Sequence, residues 1–292
     1  MLGRINGIKR FEIHDGPGIR TTLFMKGCPL HCLWCHNPEN IAFQKELYFL
    51  ENKCVQCKKC QTVCPLHSFT ENLHMIDRTN CVLCSKCVNV CPTNALGIYG
   101  KDVTVNEILP VLLEDRDYYE PGGVTISGGE PLMQSAFCEE LLKALKEQNI
   151  HTAVDTCLYA NQKDLEKLLP YTDIFLVDVK AIDHDIHKNL TDKDNSIILQ
   201  NLEYLEKIHF PVEIRVPYIP KLNESQMPKI AEYLTRFTNI TGIKILPYHD
   251  FYKSKALSIR KTNDILIEKP SKSQLENVKL IFKERKLNVL ED

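Results

Sequence analysis

The stretch GCPLHCLWCHNPEN, residues 27–40, spaces Cys28, Cys32 and Cys35 as C-x₃-C-x₂-C and then holds no further cysteine. A structural zinc or a cubane iron–sulfur cluster takes four protein ligands. Three leave one position open, and in metal enzymes an open position is where substrate or cofactor binds. A fourth ligand from elsewhere would close the site, and Cys138 and Cys157 are the remaining candidates. Cys138 lies in an amphipathic pattern and reads as a small core residue. Cys157 lies just past an apolar run, in a loop of the same kind as the cysteine loop, and stays a candidate.

Working outward, IRTTLFMK (19–26) reads as a strand that delivers the chain into this loop. Downstream, short β-branched runs alternate with amphipathic stretches. GVTIS (123–127), HTAVDT (151–156), DIFLVDVK (173–180), PVEIRVPYI (211–219) and GIKILPYH (242–249) read as strands. Residues 133–148, 197–209 and 227–238 read as helices. Alternating buried strands and helices predict parallel βαβ units. The expectation is an α/β protein, an incomplete (β/α)6 barrel built from residues 1–47 and 98–292, with residues 48–97 inserted after the first strand. In β/α barrels the site forms where the strands end. The cysteine loop, SGGEP (127–131), Asp155, Thr156, Asp178, Lys180, Arg215 and His249 all fall there.

The insert contains CVQCKKCQTVCP and CVLCSKCVNVCP, both C-x₂-C-x₂-C-x₃-C-P, with 16 residues between Cys64 and Cys81. This doubled run is the signature of a two-cluster bacterial ferredoxin, in which each fourth cysteine serves the other cluster. It assigns Cys54, Cys57, Cys60 and Cys91 to one 4Fe–4S cluster, and Cys64, Cys81, Cys84 and Cys87 to a second. Four-cysteine zinc sites are the alternative, but they explain neither the strict spacing nor the repeat. Lys53, Lys58 and Lys59 read as solvated surface that could also steer an acidic electron donor.

Composition narrows the function classes. The chain has 292 residues, 43% of them hydrophobic and 25% charged, as in an ordinary globular protein. Its 36 basic and 38 acidic residues give a net charge of −2, so no broad cationic field invites nucleic acid or an anionic membrane. MLGRINGIKRFEIHDG has no signal-like apolar run, and no apolar stretch approaches the length of about 18 residues that spans a bilayer. Thirteen cysteines, eleven of them between residues 28 and 91, suggest metal sites in a reducing, cytoplasmic compartment. No spare apolar element is evident, so a monomer is expected.

DGPGIRTTLFMKGCPLHCLWCHNPEN (15–40) resembles the signature of the glycyl radical enzyme activating enzymes of the radical S-adenosylmethionine (SAM) superfamily. More narrowly, the chain resembles the subset carrying a two-cluster ferredoxin insert, over about residues 7–285. The resemblance implies that SAM fills the open position on the Cys28/Cys32/Cys35 cluster through its amino and carboxylate groups. It implies that Gly128, Gly129 and Glu130 hold the SAM amino group, that Lys180 and Arg215 lie by its carboxylate, and that His249 and Trp34 lie by the nucleoside. Asp155, Thr156 and Asp178, with the Leu176 carbonyl, match residues that bind a monovalent cation beside SAM. Asp at a strand end also caps helices, a blander reading of the two aspartates that weighs less than a role beside the cation or SAM.

The implied activity is one-electron cleavage of SAM to methionine and a 5′-deoxyadenosyl radical, which takes a hydrogen atom from one glycine of a partner glycyl radical enzyme. Electrons would come from a flavodoxin or a ferredoxin-type reductant. No side-chain general base is required, and none is nominated. Other radical SAM enzymes, acting on a small molecule or peptide, share the loop and SGGEP. A ferredoxin-type carrier would explain the insert alone. The departures from the family pattern are of one kind: glycines are replaced at Leu158 in DTCLY, Asp192 in TD and Lys221 in IPK, and YKSKA stands at 252–256. Such replacements strain a tight turn and put the rim that receives the partner in question.

Overall fold

In the computed structural model, which describes residues 1–71, 73–261 and 266–291, the six expected strands lie side by side. The main sheet comprises β1 (Leu2–Glu12), β2 (Arg20–Met25), β3 (Lys101–Thr104), β4 (Gly123–Gly128), β5 (Thr152–Thr156), β6 (Ile174–Asp178), β7 (Val212–Tyr218) and β8 (Ile240–Pro247). Their order is β8-β7-β6-β5-β4-β2-β1-β3. β2 and β4 to β8 pair in parallel. They are the buried, β-branched runs, and β7 is buried at every position, as crossover helices on a parallel sheet require.

β1 and β3 were not foreseen. They add an antiparallel margin beside β2. β1 reads LGRINGIKRFE, with glycines and charges interrupting any apolar run, and more than half of it is at least partly exposed. A strand with one wet face lacks the continuous apolar signal of its parallel neighbours. The sheet runs edge to edge without closing, so the barrel is incomplete. At one edge the C-terminal segment covers β8, the Ile243 amide donating to the Asn288 carbonyl (2.8 Å) and Leu290 to Ile243 (2.9 Å). That blunts an otherwise open strand.

Register brings the strand ends together. Met25 stands opposite Gly128, Val177 opposite Thr156, and Asp178 opposite Arg215. Helices lie on the outside. Ser135–Glu147, for example, buries Phe137, Cys138, Leu141, Leu142 and Leu145 against the sheet. No helix among the described residues is long and apolar enough to cross a membrane.

The cysteine-rich segment leaves and returns through the antiparallel pair Glu46–Phe49 and Leu96–Tyr99. Within it lie a second pair, His67–Phe69 with His74–Ile76, and two short helices, Lys59–Val63 and Lys86–Asn89. The sequence repeat recurs in the backbone. Gln56 and Leu83 have φ of 51° and 54°, and Lys58 and Ser85 have 59° and 64°, each pair 27 residues apart. Alternating handedness of this kind turns successive N–H groups inward, a concavity suited to anions and iron–sulfur clusters. The three replaced glycines also keep the left-handed backbone, with φ of 58° at Leu158, 64° at Asp192 and 66° at Lys221.

Candidate functional site

The Cys28–Cys35 loop is held from both flanks. Gly27, at φ 106°, turns the chain at the end of β2. Its amide donates to the Asn40 carbonyl (2.7 Å) and that of Cys28 to Ile41 (2.9 Å), closing the loop on its own return. On the other flank His31 and Leu33 donate to the carbonyls of Thr191 and Leu190, at the end of the helix His184–Thr191. Two lysines fix the return segment. Fully buried Lys26 donates to the Glu39 carbonyl (2.6 Å) and pairs with Glu46 (2.9 Å). Lys255, within the YKSKA departure, bonds Glu39 and Asn37, each at 2.8 Å.

SGGEP is laid against this loop. Gly129 donates to Met25 (2.9 Å) and Glu130 to Gly27 (2.7 Å). A Cβ on Gly128, itself at φ 106°, would collide with the Met25 nitrogen, and one on Gly129 with the Gly27 carbonyl. These glycines therefore permit close approach of two chain segments. Glu130 is fully buried and does not line the cavity. Its carboxylate accepts from Thr156 Oγ1 (2.6 Å), the Cys157 amide (2.8 Å) and the Leu132 amide (3.0 Å). It joins the ends of β4 and β5, while Gly128 and Gly129 line the wall.

Between these segments lies a cavity of about 280 Å³ lined by Cys28, Cys32, Cys35, Trp34, Gly128, Gly129, Asp155, Thr156, Asp178, Lys180 and Arg215, among others. Burial pushes the Cys32 thiol up and Cys35 to about 12, so their thiolates need a compensating positive centre. Arg215 is nearly inaccessible. It donates to the His14 carbonyl (2.6 Å) and lies 3.6 Å from Asp155, 3.7 Å from Asp15 and 3.5 Å from Glu213. Lys180 pairs with Asp178 at 2.6 Å, and despite burial that carboxylate holds its pKa above the ordinary lysine value. Burial pushes Asp155 up to about 6 while Arg215 works against the shift. Ser127 donates to it at 2.6 Å.

Several cavity residues carried no role in the sequence reading. Asp15 lines the wall and accepts from Thr22 Oγ1 (2.8 Å). His36 and Asn40 also line it, and His36 Nε2 and both polar atoms of the Asn40 side chain are buried without a hydrogen-bond partner. All three lie inside the quoted signature, which was the available signal. His249 is absent from the wall and stacks on His36 instead, with centroids 3.9 Å apart. Burial and that neighbour lower His36 to about 4. Cys157 is free and lines the same cavity; burial, and then Cys28 within hydrogen-bonding reach of its thiol, pushes its pKa up. Cys138 is fully buried in its helix, its thiol donating to the Pro131 carbonyl.

The other eight cysteines line two further cavities. Cys54, Cys57, Cys60 and Cys91 face one, walled by Phe49, Phe69, His74 and Leu96. Cys64, Cys81, Cys84 and Cys87 face the other, walled by Leu47, His67, Ile76 and Ile98. Each cavity therefore gathers cysteines from both halves of the repeat.

A family model described as the radical SAM superfamily matches residues 22–234. The trans-4-hydroxy-L-proline dehydratase activating enzyme of Clostridioides difficile is 38% identical, over 96% of each chain. The choline trimethylamine-lyase activating enzyme of Oleidesulfovibrio alaskensis is 42% identical, over 84% of this chain and 83% of that one. The benzylsuccinate synthase activating enzyme of Thauera aromatica is also 42% identical, over 86% and 80%. Among solved structures, a domain of pyruvate-formate lyase-activating enzyme from Bacteroides vulgatus superposes with a TM-score of 0.50 at 30% identity, covering 58% of this chain and 98% of that one. The chain belongs to the radical SAM superfamily and, within it, to the glycyl radical enzyme activating enzymes.

Proposed function

We propose that this activating enzyme binds SAM against a 4Fe–4S cluster on Cys28, Cys32 and Cys35, and that residues 48–97 form a ferredoxin-like insert with two more clusters. The observation that carries the first part is one cavity holding three cysteines together with unsatisfied His36 and Asn40 side chains, which a polar ligand would satisfy. Three wall carboxylates, Asp15, Asp155 and Asp178, outnumber Lys180 and Arg215 by one charge, and three thiolates, only partly offset by the positive iron–sulfur core, would add to the excess. That balance suits a sulfonium, and beside it a monovalent cation on the oxygens of Asp155, Thr156 and Asp178. When bound, the cluster and SAM supply the one-electron cleavage and the hydrogen-abstracting radical.

The chain's own part is placement. Glu130 and the SGGEP backbone fix the cavity wall to the cysteine loop, and Lys26 and Lys255 fix the loop's return. Lys180 offers a buried cation for a carboxylate, and Trp34 an apolar face packed with Leu190, Ile219 and Tyr248. The insert clusters are supported by the doubled cysteine run, its backbone repeat and the four-and-four division between two apolar cavities. They would pass electrons inward from a flavodoxin or ferredoxin-type reductant. The substrate is one glycine of a partner glycyl radical enzyme, reached through the open barrel mouth.

The test is anaerobic. Reconstituted protein should hold about twelve irons and form 5′-deoxyadenosine and methionine from SAM and dithionite. It should also leave a glycyl EPR doublet on a partner encoded beside it. Absence of 5′-deoxyadenosine from fully loaded protein overturns the proposal.

A further inference from the structure

Two histidines of the insert have no part in the reaction just described, and they meet between its two cysteine cavities. His74 belongs to the wall of the Cys54/Cys57/Cys60/Cys91 cavity and His67 to that of the other. Both are buried, His67 at 2% exposure and His74 at 6%, on the paired strands His67–Phe69 and His74–Ile76. His67 Nδ1 and His74 Nε2 are 2.8 Å apart. His74 Nδ1 lies 3.6 Å from Cys54 Sγ, and its Nε2 lies 3.7 Å from Cys60 Sγ. Phe69 stacks on the His74 ring, with centroids 4.2 Å apart and planes at 13°, and Phe49 meets it edge-on. The ring plane is thus fixed from two sides.

We propose that His74 donates an Nδ1–H hydrogen bond to the sulfur of Cys54, with His67 placing that proton, and that this bond raises the reduction potential of the Cys54/Cys57/Cys60/Cys91 cluster. The inference rests on the reading that this cavity holds a 4Fe–4S cluster.

The proton assignment follows from valence. A thiolate bound to iron has no proton to give, so Cys54 Sγ only accepts. The 3.6 Å contact is attractive when His74 carries its proton on Nδ1. A neutral imidazole then has a bare Nε2, which must accept, and the 2.8 Å contact requires His67 to donate from Nδ1. The opposite tautomer turns the Nδ1 lone pair on the Cys54 thiolate with nothing to occupy it, whereas in this one the Nε2 lone pair is taken up by the His67 N–H at 2.8 Å, well inside the 3.7 Å contact with Cys60 Sγ. His67 therefore orients a residue that touches the cluster ligand, as the outer partners of metal-bound groups do elsewhere. Hydrogen bonds to cluster sulfur stabilise the extra negative charge of the reduced form and raise its potential. Among the described residues, no side-chain hydrogen bond to Cys64, Cys81, Cys84 or Cys87 accompanies the second cavity.

Position gives the bond a use. The pair Leu47–Ile98 walls the second cavity and Phe49–Leu96 this one, a step further from Glu46, where the insert meets Lys26 of the barrel. The tuned centre is the outer of the two. There the external flavodoxin or ferredoxin-type donor loses one electron and the cluster gains it, going from the 2+ to the 1+ state with no bond broken.

EPR-monitored redox titration of the fully reconstituted chain tests the proposal. His74→Phe should lower the potential of one centre, making its reduction at least tenfold less favourable, which is 59 mV for a one-electron couple. The other centres should not move. His67→Phe should reproduce the loss, and His67→Gln, whose amide can donate to Nε2, should restore most of it. Should the phenylalanine variants fail to assemble, ¹⁵N-histidine hyperfine coupling to the reduced wild-type cluster gives the same answer. About twelve irons with unmoved potentials, or no such coupling, overturns this inference alone. So would one zinc held by Cys60, His67 and His74, whose ligand atoms lie within 4.8 Å of one another. About four irons would overturn the cluster reading and this inference with it.

Discussion

The barrel and the insert both gather cysteines, yet they hold them in opposite ways. In the barrel the three cysteines come from one loop, held by its own return at Asn40 and Ile41 and by two distant segments, the end of the helix His184–Thr191 and SGGEP through the Gly129 and Glu130 amides. In the insert each cavity takes cysteines from both halves of a repeat, and the buried cluster around them is Leu47, Cys60, Ile76, Cys87 and Leu96. Two of those five are themselves ligand candidates. A core that small does not hold a fold without staples or metal. The barrel therefore shapes its site from chain contacts, whereas residues 48–97 bury too little to fold well unless the proposed clusters complete them.

Iron removal should break this comparison most visibly. A chelator under reducing conditions should abolish amide-exchange protection across residues 50–95 while leaving β4 to β8 protected. Equal loss in both regions would refute the distinction. Cys28→Ala should eliminate 5′-deoxyadenosine formation with the barrel still folded. Cys84→Ala should remove about four irons and slow activation by a protein donor, while dithionite still drives SAM cleavage.

How much of this was legible follows the same division. The six parallel strands were readable because each is an uninterrupted buried run between turn signals. β1 was not, because a half-wet strand with Gly3 and Gly7 has no such run. In the insert, the doubled signature grouped eight cysteines as two cavities group them, with Cys64 and Cys91 exchanged between the halves, which local proximity alone would not give. In the barrel, the family match named Glu130 but carried no sign of its bonds to Thr156 and Cys157. Which way a buried side chain turns depends on partners 26 and 27 residues away in sequence, which no local pattern records.

Glu130→Ala tests the bracing of the barrel site. It leaves the Thr156 hydroxyl and two buried amides without their acceptor, at about 1–3 kcal/mol for each orphaned group. The expected loss is about 3 kcal/mol, read by denaturant unfolding of the barrel. A loss below about 1 kcal/mol would show the brace to be redundant. Leu158→Gly should act in the same direction by about 2 kcal/mol, since losing a fully buried side chain outweighs relief of its left-handed backbone.

Cys157→Ala asks whether the barrel site is open. Its thiol lies by Cys28 in the cavity wall. If SAM takes the fourth position, iron content stays near twelve and 5′-deoxyadenosine formation changes by less than about threefold, roughly 0.6 kcal/mol. If Cys157 is a ligand, the cluster becomes labile and SAM no longer perturbs its EPR signal. That outcome would make the barrel site a third closed one and remove the contrast with the insert.

The finest test uses two exposed lysines with the same backbone. Lys58 and Lys221 have φ of 59° and 66°, one beside the insert cysteines and one on the barrel rim. A left-handed conformation costs a non-glycine residue about 1–2 kcal/mol, and glycine returns about 0.5–1 kcal/mol of that as chain entropy. The Lys221–Glu268 pair is exposed and adds little. Each lysine-to-glycine change should therefore stabilise its region by about 0.5 kcal/mol. Lys221→Gly should do so with or without iron, because the barrel folds on chain contacts. Lys58→Gly should register only in iron-loaded protein, since without the cluster the insert has no native turn for the glycine to relieve.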